Sequence, residues 1–594
     1  MPATSAHAPL EVCNALAPEE TVLLPGGIAH LFFQRAHQLG PRPFLHRWEG
    51  AGWASWTWAE TAQRVAGLAN GLAQRGVLPG DRVLLVSENR VEWHVSALGI
   101  LAARAIIVPL SATATAEDWR LILGKTEPRA CIVSTRLAKR WREVAQAAGW
   151  GGVQVLIDGP VADGTLAWSE LAATSGTEPT AFVQLDDICS LVYTSGTGGT
   201  PKGVEQTHRN ILWNCAGAIR VLAPYGLTGN RFLSFLPLSH TYEFTAGFAT
   251  PLALGAEVFV SRGPEHLAGE LRLASPTVLI VVPRFCEVMS EKIEAGLQRK
   301  SRLARTLFQV TDRIGRTVVR GNRPPAWARL WSATVGRVVR RQLHAHFGGA
   351  LKCILSAGAP LRVETSEFFN GVGLPLHEAY GQTETAPGIT MQVAGGIRPG
   401  TVGPPMHGVT VRLADDGEIL VQGPNVMRGY WREPAATAAA LAGGWLHTGD
   451  IGRFEADGSL VIVDRKKDFL KTAGADMIAP QPIELALAGQ PEIAQAMLCG
   501  DGWPHLAALI VPDVASREAL AAGTLSGNEI HHRVQAAVDR VNARLAAKSR
   551  VRRFAVLSEP FTIENGLMTG TLKVRRRAVL EHHALAIRAL RNPA

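Results

Sequence analysis

Residues 191–204, LVYTSGTGGTPKGV, pass from a β-branched run into alternating hydroxyl and glycine residues and close on Pro-Lys-Gly. A loop of this composition suits a polyphosphate. Gly196, Gly198, Gly199 and Gly203 free backbone N–H groups to turn toward an anion, the hydroxyls of Thr194, Ser195, Thr197 and Thr200 can donate, and Lys202 adds positive charge. The spacing excludes a Walker loop, whose lysine directly follows the second glycine, because Thr-Pro separates Gly199 from Lys202. A second Gly-Lys-Thr, in LILGKTEP at 121–128, has Trp119 where a Walker loop needs glycine, and reads as a helix end with a turn.

Five further segments follow in order. ILSAGAPL at 354–361 sets Gly358, Ala359 and Pro360 after a strand, where small residues let a flat ring lie against the backbone. EAYGQTET at 378–385 supplies an aromatic face in Tyr380, a hydroxyl in Thr383 and a carboxylate in Glu384, better suited beside a triphosphate to Mg2+ ligation than to proton abstraction. GWLHTGDIG at 444–452 carries Asp450, able to accept from two ribose hydroxyls. VDRKKDFLKTAGADMIAP at 463–480 carries Arg465, a basic stretch and a glycine loop, and ENGLMTGTLKVRRR at 564–577 sets Lys573 near the C-terminus. Each pattern alone is commonly structural, and the inference rests on the series.

The chain must supply elements that position these segments. At 594 residues it exceeds one core and should form at least two domains. With 47% apolar and 19% charged residues it has ordinary globular composition, which argues against long disordered arms. A net charge of +9 favours anionic ligands or surfaces. Seven dispersed cysteines without a Cys-x-x-Cys pair argue against a disulfide framework or zinc site and fit a reducing cytosol. The first twenty residues lack a secretory pattern, and the apolar stretch 95–112, interrupted by Arg104 and Pro109, reads as a buried helix entering a buried strand.

Between residues 58 and 360, helical periods alternate with short β-branched runs such as RVLLVS, ACIVS and TVLIVV, which predicts α/β architecture with mostly parallel, helix-covered sheets. After about residue 400, VTVRLADDGEILVQG and GRFEADGSLVIVDRK each set a glycine turn between alternating runs, the signal of a small antiparallel sheet. The remainder, about 466–594, reads as a compact α+β lid.

The order and separations of the six motifs resemble the adenylate-forming (AMP-binding) acyl-CoA synthetase superfamily from about residue 30 to 590. LPLSHTYEFTAG at 236–247, APQPIE and ENGLMTGTLK are similar to the long-chain fatty acid–CoA ligase branch. The resemblance implies an adenylation domain over 1–464 and a mobile lid over 465–594, joined by a hinge near Lys467. It implies that Thr194, Ser195, Gly196, Thr197 and Lys202 wrap the phosphates of ATP, with Gly358, Ala359, Pro360 and Tyr380 around adenine. Thr383 and Glu384 would hold the α-phosphate and Mg2+, Asp450 and Arg465 the ribose, and Lys573 would be the adenylation lysine. Gly474 would line the channel for the pantetheine of CoA, and His240 would lie beside the acyl site, with a loop-capping histidine as the plainer alternative.

The expected reaction converts a long- or medium-chain fatty acid, ATP and CoA into acyl-CoA, AMP and pyrophosphate. An aryl acid or a carrier-protein thiol is the enzymatic alternative, and a non-catalytic nucleotide- or acyl-binding protein is the other. Gly198 stands where the family loop usually has threonine, and Arg104 where it has a small residue. Segment 299–341 holds twelve Lys or Arg residues against Asp312 alone, and Leu303, Leu307, Val310, Ile314 and Val318 recur at helical spacing. It reads as a solvated helical insertion, with peripheral contact to the inner membrane surface as the rival; no nucleic-acid reader module is matched. The expected location is cytoplasmic.

Overall fold

The computed structural model describes residues 22–161, 164–179, 183–194, 201–474, 476–562, 564–568 and 574–591. The chain divides into two compact units. The first takes Met1–Gly358, Val363–Val411 and Val421–Leu446, and the second Ala359–Arg362, Arg412–Leu420 and His447–Ala594.

Two eight-stranded sheets form the first unit. One runs, in spatial order, Gly429–Tyr430, Lys202–Thr207, Ile188–Thr194, Ile106–Leu110, Arg82–Val86, Ala130–Val133, Val153–Leu156 and Thr165–Ala167. All neighbours from Ile188–Thr194 onward are parallel, and the first two strands close that edge antiparallel. The other sheet runs Gly388–Met391, Leu376–Gly381, Cys353–Ser356, Val278–Val281, Arg231–Ser234, Glu257–Val260, Pro43–Glu49 and Gly52–Thr57, parallel except at its two edges.

Parallel strands covered on both faces must be apolar throughout. Ile106–Leu110 and Ala130–Val133 are accordingly buried at every position. The helix Val91–Ala102 is buried along almost its whole length and leads into Ile106–Leu110. The turn between them sets Arg104 at φ 61°, a left-handed conformation that favours glycine, so the arginine sits on a strained backbone. No helix among the described residues is long and apolar enough to cross a membrane. The Gly-Lys-Thr at 124–126 ends the helix Ala116–Thr126, which Glu127 terminates at φ 46°.

The second unit contains most of a four-stranded sheet ordered Thr410–Leu413, Glu418–Gln422, Leu446–Phe454 and Leu460–Arg465, the last two antiparallel. It also holds the hairpin Leu470–Lys471 with Met477–Ile478 and a three-stranded sheet ordered Ile493–Cys499, Leu506–Pro512 and Val551–Val556. The helices Pro480–Ala488 and Gly527–Asn542 supply Ile483, Leu487, Ile530, Val534 and Val538 to a core of its own.

The basic segment folds as the helices Arg302–Val319, Ala326–Ala333 and Val335–His346. Its inward stripe differs from the one expected. Phe308, Thr311 and Ile314 are buried, whereas Leu303 and Val318 are 69% and 52% exposed. The helix Val363–Gly371 packs instead on the side that carries Phe308, Gly315, Arg316 and Arg320, with Arg320 Nε 2.6 Å from Glu367 Oε1.

All six described cysteines, Cys131, Cys189, Cys215, Cys286, Cys353 and Cys499, are buried. Burial pushes the thiols of Cys189, Cys215, Cys353 and Cys499 up to about 12, and raises those of Cys131 and Cys286 further.

Candidate active site

Open α/β sheets present ligands at the carboxyl ends of their parallel strands. Thr194 ends Ile188–Thr194, Gly358 follows Cys353–Ser356 at φ 92°, and Tyr380 lies near the end of Leu376–Gly381. Thr194 pairs directly with Lys202, so the two residues that flank the candidate phosphate loop meet on one antiparallel step. Ser195, Gly196 and Thr197, with Gly198, lie outside the described residues. Behind the loop, Thr207 caps the helix His208–Leu222 through a reciprocal pair with Asn210, which fixes the direction of the strand that carries Lys202.

Thr383 and Glu384 occupy a short 3-10 turn, Thr383–Thr385, whose consecutive carbonyls are each tied to a different element. Gln206 Nε2 donates to the Thr383 carbonyl at 2.8 Å, Met427 N to the Glu384 carbonyl at 2.8 Å, and Asn214 Nδ2 to the Thr385 carbonyl at 2.9 Å. Gln206 is fully buried. It also accepts from the Ser190 hydroxyl at 3.0 Å and reaches Thr241 Oγ1 at 3.2 Å. The Glu384 side chain accepts from Tyr430 Oη at 2.9 Å, and the Tyr430 ring lies 5.0 Å from Lys202 Nζ. Burial, and then the charge of Glu384, raise the Tyr430 phenol and keep it protonated as the donor. A carboxylate and a hydroxyl on an immobilised turn are hard oxygen donors of the kind Mg2+ takes, so these residues fit that ion.

His240 caps the helix Thr241–Glu243, its Nδ1 accepting from Tyr242 N at 3.2 Å. The capping role is therefore met by geometry, and it assigns Nε2 as the protonated nitrogen of the neutral ring. Three residues on, Glu243 is completely buried, accepts from Ser234 Oγ at 2.6 Å, and is pushed up to about 8 by desolvation.

In the second unit, Asp450 and Arg465 face each other across Leu446–Phe454 and Leu460–Arg465, with Arg465 Nε 3.4 Å from Asp450 Oδ1. Asp450 is 5% exposed, and its backbone N–H donates to Thr448 Oγ1. Asp464 accepts from the backbone N–H groups of Arg465 and Gln481, both at 2.7 Å, so one carboxyl ties the two ends of the segment that carries Lys467 and Gly474. Burial raises Asp464 to about 6. Lys466 is anchored on Asp416 and Glu418, whereas partial burial lowers the neighbouring Lys467 ammonium. Ala359 and Pro360 continue from Gly358, and Gly474 turns the hairpin between Lys471 and Met477.

Lys573 lies outside the described residues. Its flanks converge: Met568 and Val574 form an antiparallel bridge, and Arg575 N donates to the Leu567 carbonyl at 2.8 Å. Arg576 then locks this segment down, with Nη2 2.6 Å from Glu484 Oε1 and Nη1 donating to the Leu498 carbonyl. Sequence reading missed Gln206, Asn214, Tyr430, Asp464 and Arg576. Gln206 lies in the polar strand KGVEQT, so its burial leaves no local signal in the sequence.

The profile of the AMP-binding enzyme family matches residues 32–431, and that of the AMP-binding enzyme C-terminal domain matches 467–593. The chain belongs to the AMP-binding enzyme family. It is 34% identical over 571 residues to the long-chain-fatty-acid–CoA ligase FadD15 of Mycobacterium bovis, covering 91% of this chain and 93% of that protein. Human long-chain-fatty-acid–CoA ligase 1 is 29% identical, with 86% and 78% covered. Among solved structures, the adenylation domain of a carboxylate reductase from Mycobacterium chelonae superposes with a TM-score of 0.77 at 21% identity, covering 97% of this chain and 92% of that one.

Proposed function

We propose that the chain activates a long- or medium-chain fatty acid with ATP and transfers the acyl group to CoA. The observation that carries this reading is the 34% identity to a long-chain-fatty-acid–CoA ligase across 91% of the chain. The fatty carboxylate attacks the α-phosphorus of ATP and expels pyrophosphate. The CoA thiol then attacks the acyl carbon and expels AMP.

In this reading the 194–202 loop, with Thr194, Ser195, Gly196, Thr197 and Lys202, holds the phosphates. Gly358, Ala359, Pro360 and Tyr380 take the adenine, and Asp450 with Arg465 takes the ribose. Thr383 and Glu384 orient the α-phosphate, and Glu384 is the protein ligand of Mg2+. Bound there, that ion would offset charge building on the transferring phosphorus. Lys573 brings a cation to the same charge, Lys467 marks the pivot between a domain over 1–464 and a lid over 465–594, and Gly474 borders the CoA channel. His240 contributes beside the acyl carboxylate.

The test is pyrophosphate release across a panel of fatty and aryl acids, with and without CoA. The reading predicts a maximum at longer chains, with AMP and acyl-CoA formed only when CoA is present. The 27% identity to a long-chain-fatty-acid–acyl-carrier-protein ligase of Arabidopsis thaliana supports a carrier-protein thiol as the second reading, which pyrophosphate release indifferent to CoA would favour.

Peripheral lipid contact through 299–341 is part of the proposal. Leu303, Trp327, Leu330 and Val338 are each about 60–70% exposed amid arginines, a composition suited to an anionic bilayer surface. Sedimentation with phosphatidylglycerol vesicles, lost on Trp327→Ser with Leu330→Ser, checks this. Sedimentation unaffected by those changes would remove it.

A further inference from the structure

Tyr430 stands at a junction that the family roles leave unused. Its strand, Gly429–Tyr430, pairs antiparallel with Lys202–Thr207, with Tyr430 opposite Val204 and Gly429 opposite Glu205. Trp431 N donates to the Gly203 carbonyl at 2.8 Å and Arg428 N to the Glu205 carbonyl at 3.1 Å, which clamps the strand on both sides of Tyr430. Tyr430 N donates to Thr437 Oγ1 at 2.9 Å, fixing the backbone from the outer edge. From this rigid base the side chain does two things at once. The hydroxyl reaches Glu384 Oε1, and the ring face receives the Lys202 ammonium.

We infer that Tyr430 is a positioning residue that presents Glu384 to the metal–nucleotide complex and seats Lys202 against the same phosphates. The inference rests on the proposed role of Glu384 as the Mg2+ ligand. Glu384 is the middle residue of a one-turn element, and its backbone is already held by Met427, so the freedom left to it is rotation of the side chain. The Tyr430 hydroxyl removes that freedom and leaves the second carboxylate oxygen to ligate. Partners of this kind are worth about 10–100-fold in metal affinity. The ring acts separately: it holds the lysine by its electron-rich face and requires no hydroxyl.

The two contacts can be separated by substitution. Tyr430→Phe keeps the ring and removes the hydroxyl, and Tyr430→Leu removes both. Mg2+ titrations of ATP binding by calorimetry on the full chain, with thermal melting of each apo variant as a folding control, read the effect without turnover. Tyr430→Phe is expected to weaken the apparent Mg2+ affinity about tenfold, while binding of ATP at saturating Mg2+ and the apo melting temperature stay near wild type. Tyr430→Leu is expected to weaken ATP binding at saturating Mg2+ as well.

Glu384→Gln serves as the reference. If Glu384→Gln binds Mg2+ and ATP as wild type does, the underlying assignment of Glu384 fails. If Glu384→Gln is impaired and Tyr430→Phe titrates as wild type, the role of Tyr430 is overturned while that of Glu384 stands. Equal loss in Tyr430→Phe with and without Mg2+, or a collapsed apo melting transition, would show that Tyr430 is merely structural.

Discussion

The side-chain amide of Gln206 donates to the Thr383 carbonyl at 2.8 Å, joining residues 177 positions apart. The same side chain receives Ser190 and meets Thr241, the residue after His240. The strand that starts at Lys202, the turn bearing Glu384 and the helix beginning at the candidate acyl site therefore share one buried amide.

Gln206→Leu is expected to leave the buried Ser190 hydroxyl without its acceptor and the Thr383 carbonyl with only the Ala386 N–H of its own turn. A buried group orphaned in this way costs about 1–3 kcal/mol, so the denaturation midpoint should fall clearly. Acyl-adenylate formation should fall about tenfold or more as the Thr383 turn loosens. A variant as stable and as active as wild type would show that these hydrogen bonds carry no net free energy.

Asp450→Ala is expected to weaken ATP binding. The carboxylate is nearly inaccessible and braced against Arg465, so its orientation is set before nucleotide arrives. Equilibrium binding of ATP that does not change would remove Asp450 from the ribose site.

Lys573→Ala should abolish acyl-adenylate formation yet leave thioester formation from supplied acyl-AMP largely intact. The lysine is asked to offset charge in the first step only. Parallel loss of both half-reactions would refute that division of roles.

Glu243 gives a dependence on pH with a definite sign. Burial raises its carboxyl from 4.5 to about 8 in the folded chain, so between those values the native state holds a proton that the unfolded state has released. Stability linked to Glu243 is thus fully present below about pH 4.5 and declines as pH rises through about 8. Glu243→Gln keeps an acceptor for Ser234 and removes the titration. Its denaturation midpoint should change less between pH 6 and pH 9 than that of wild type, and identical slopes would exclude Glu243 as the source.

The architecture was readable because buried parallel strands are nearly continuous apolar runs. RVLLV, ACIV and VLIV announce themselves one segment at a time. Candidate ligands were readable where chemistry is local, as with the hydroxyls of 194–200 or the Thr383–Glu384 pair. The residues that hold those ligands were not. Tyr430 reaches Glu384 across 46 positions, and Arg576 reaches Glu484 across 92, so neither leaves a mark in local spacing. Leu303 and Val318 fit the periodicity of their helix yet lie outside, because periodicity encodes a face and says nothing of which side the partner helix covers.

The deeply buried cysteines bear on the fate of an acyl-adenylate. Such a mixed anhydride acylates any thiolate it meets. A thiol held at about 12 is ionised to only about one part in 10⁵ at neutral pH. The described part of the protein thus offers its own activated intermediate almost no competing sulfur nucleophile. Burial of these six cysteines favours an incoming thiol as the acceptor by withholding the competing ones.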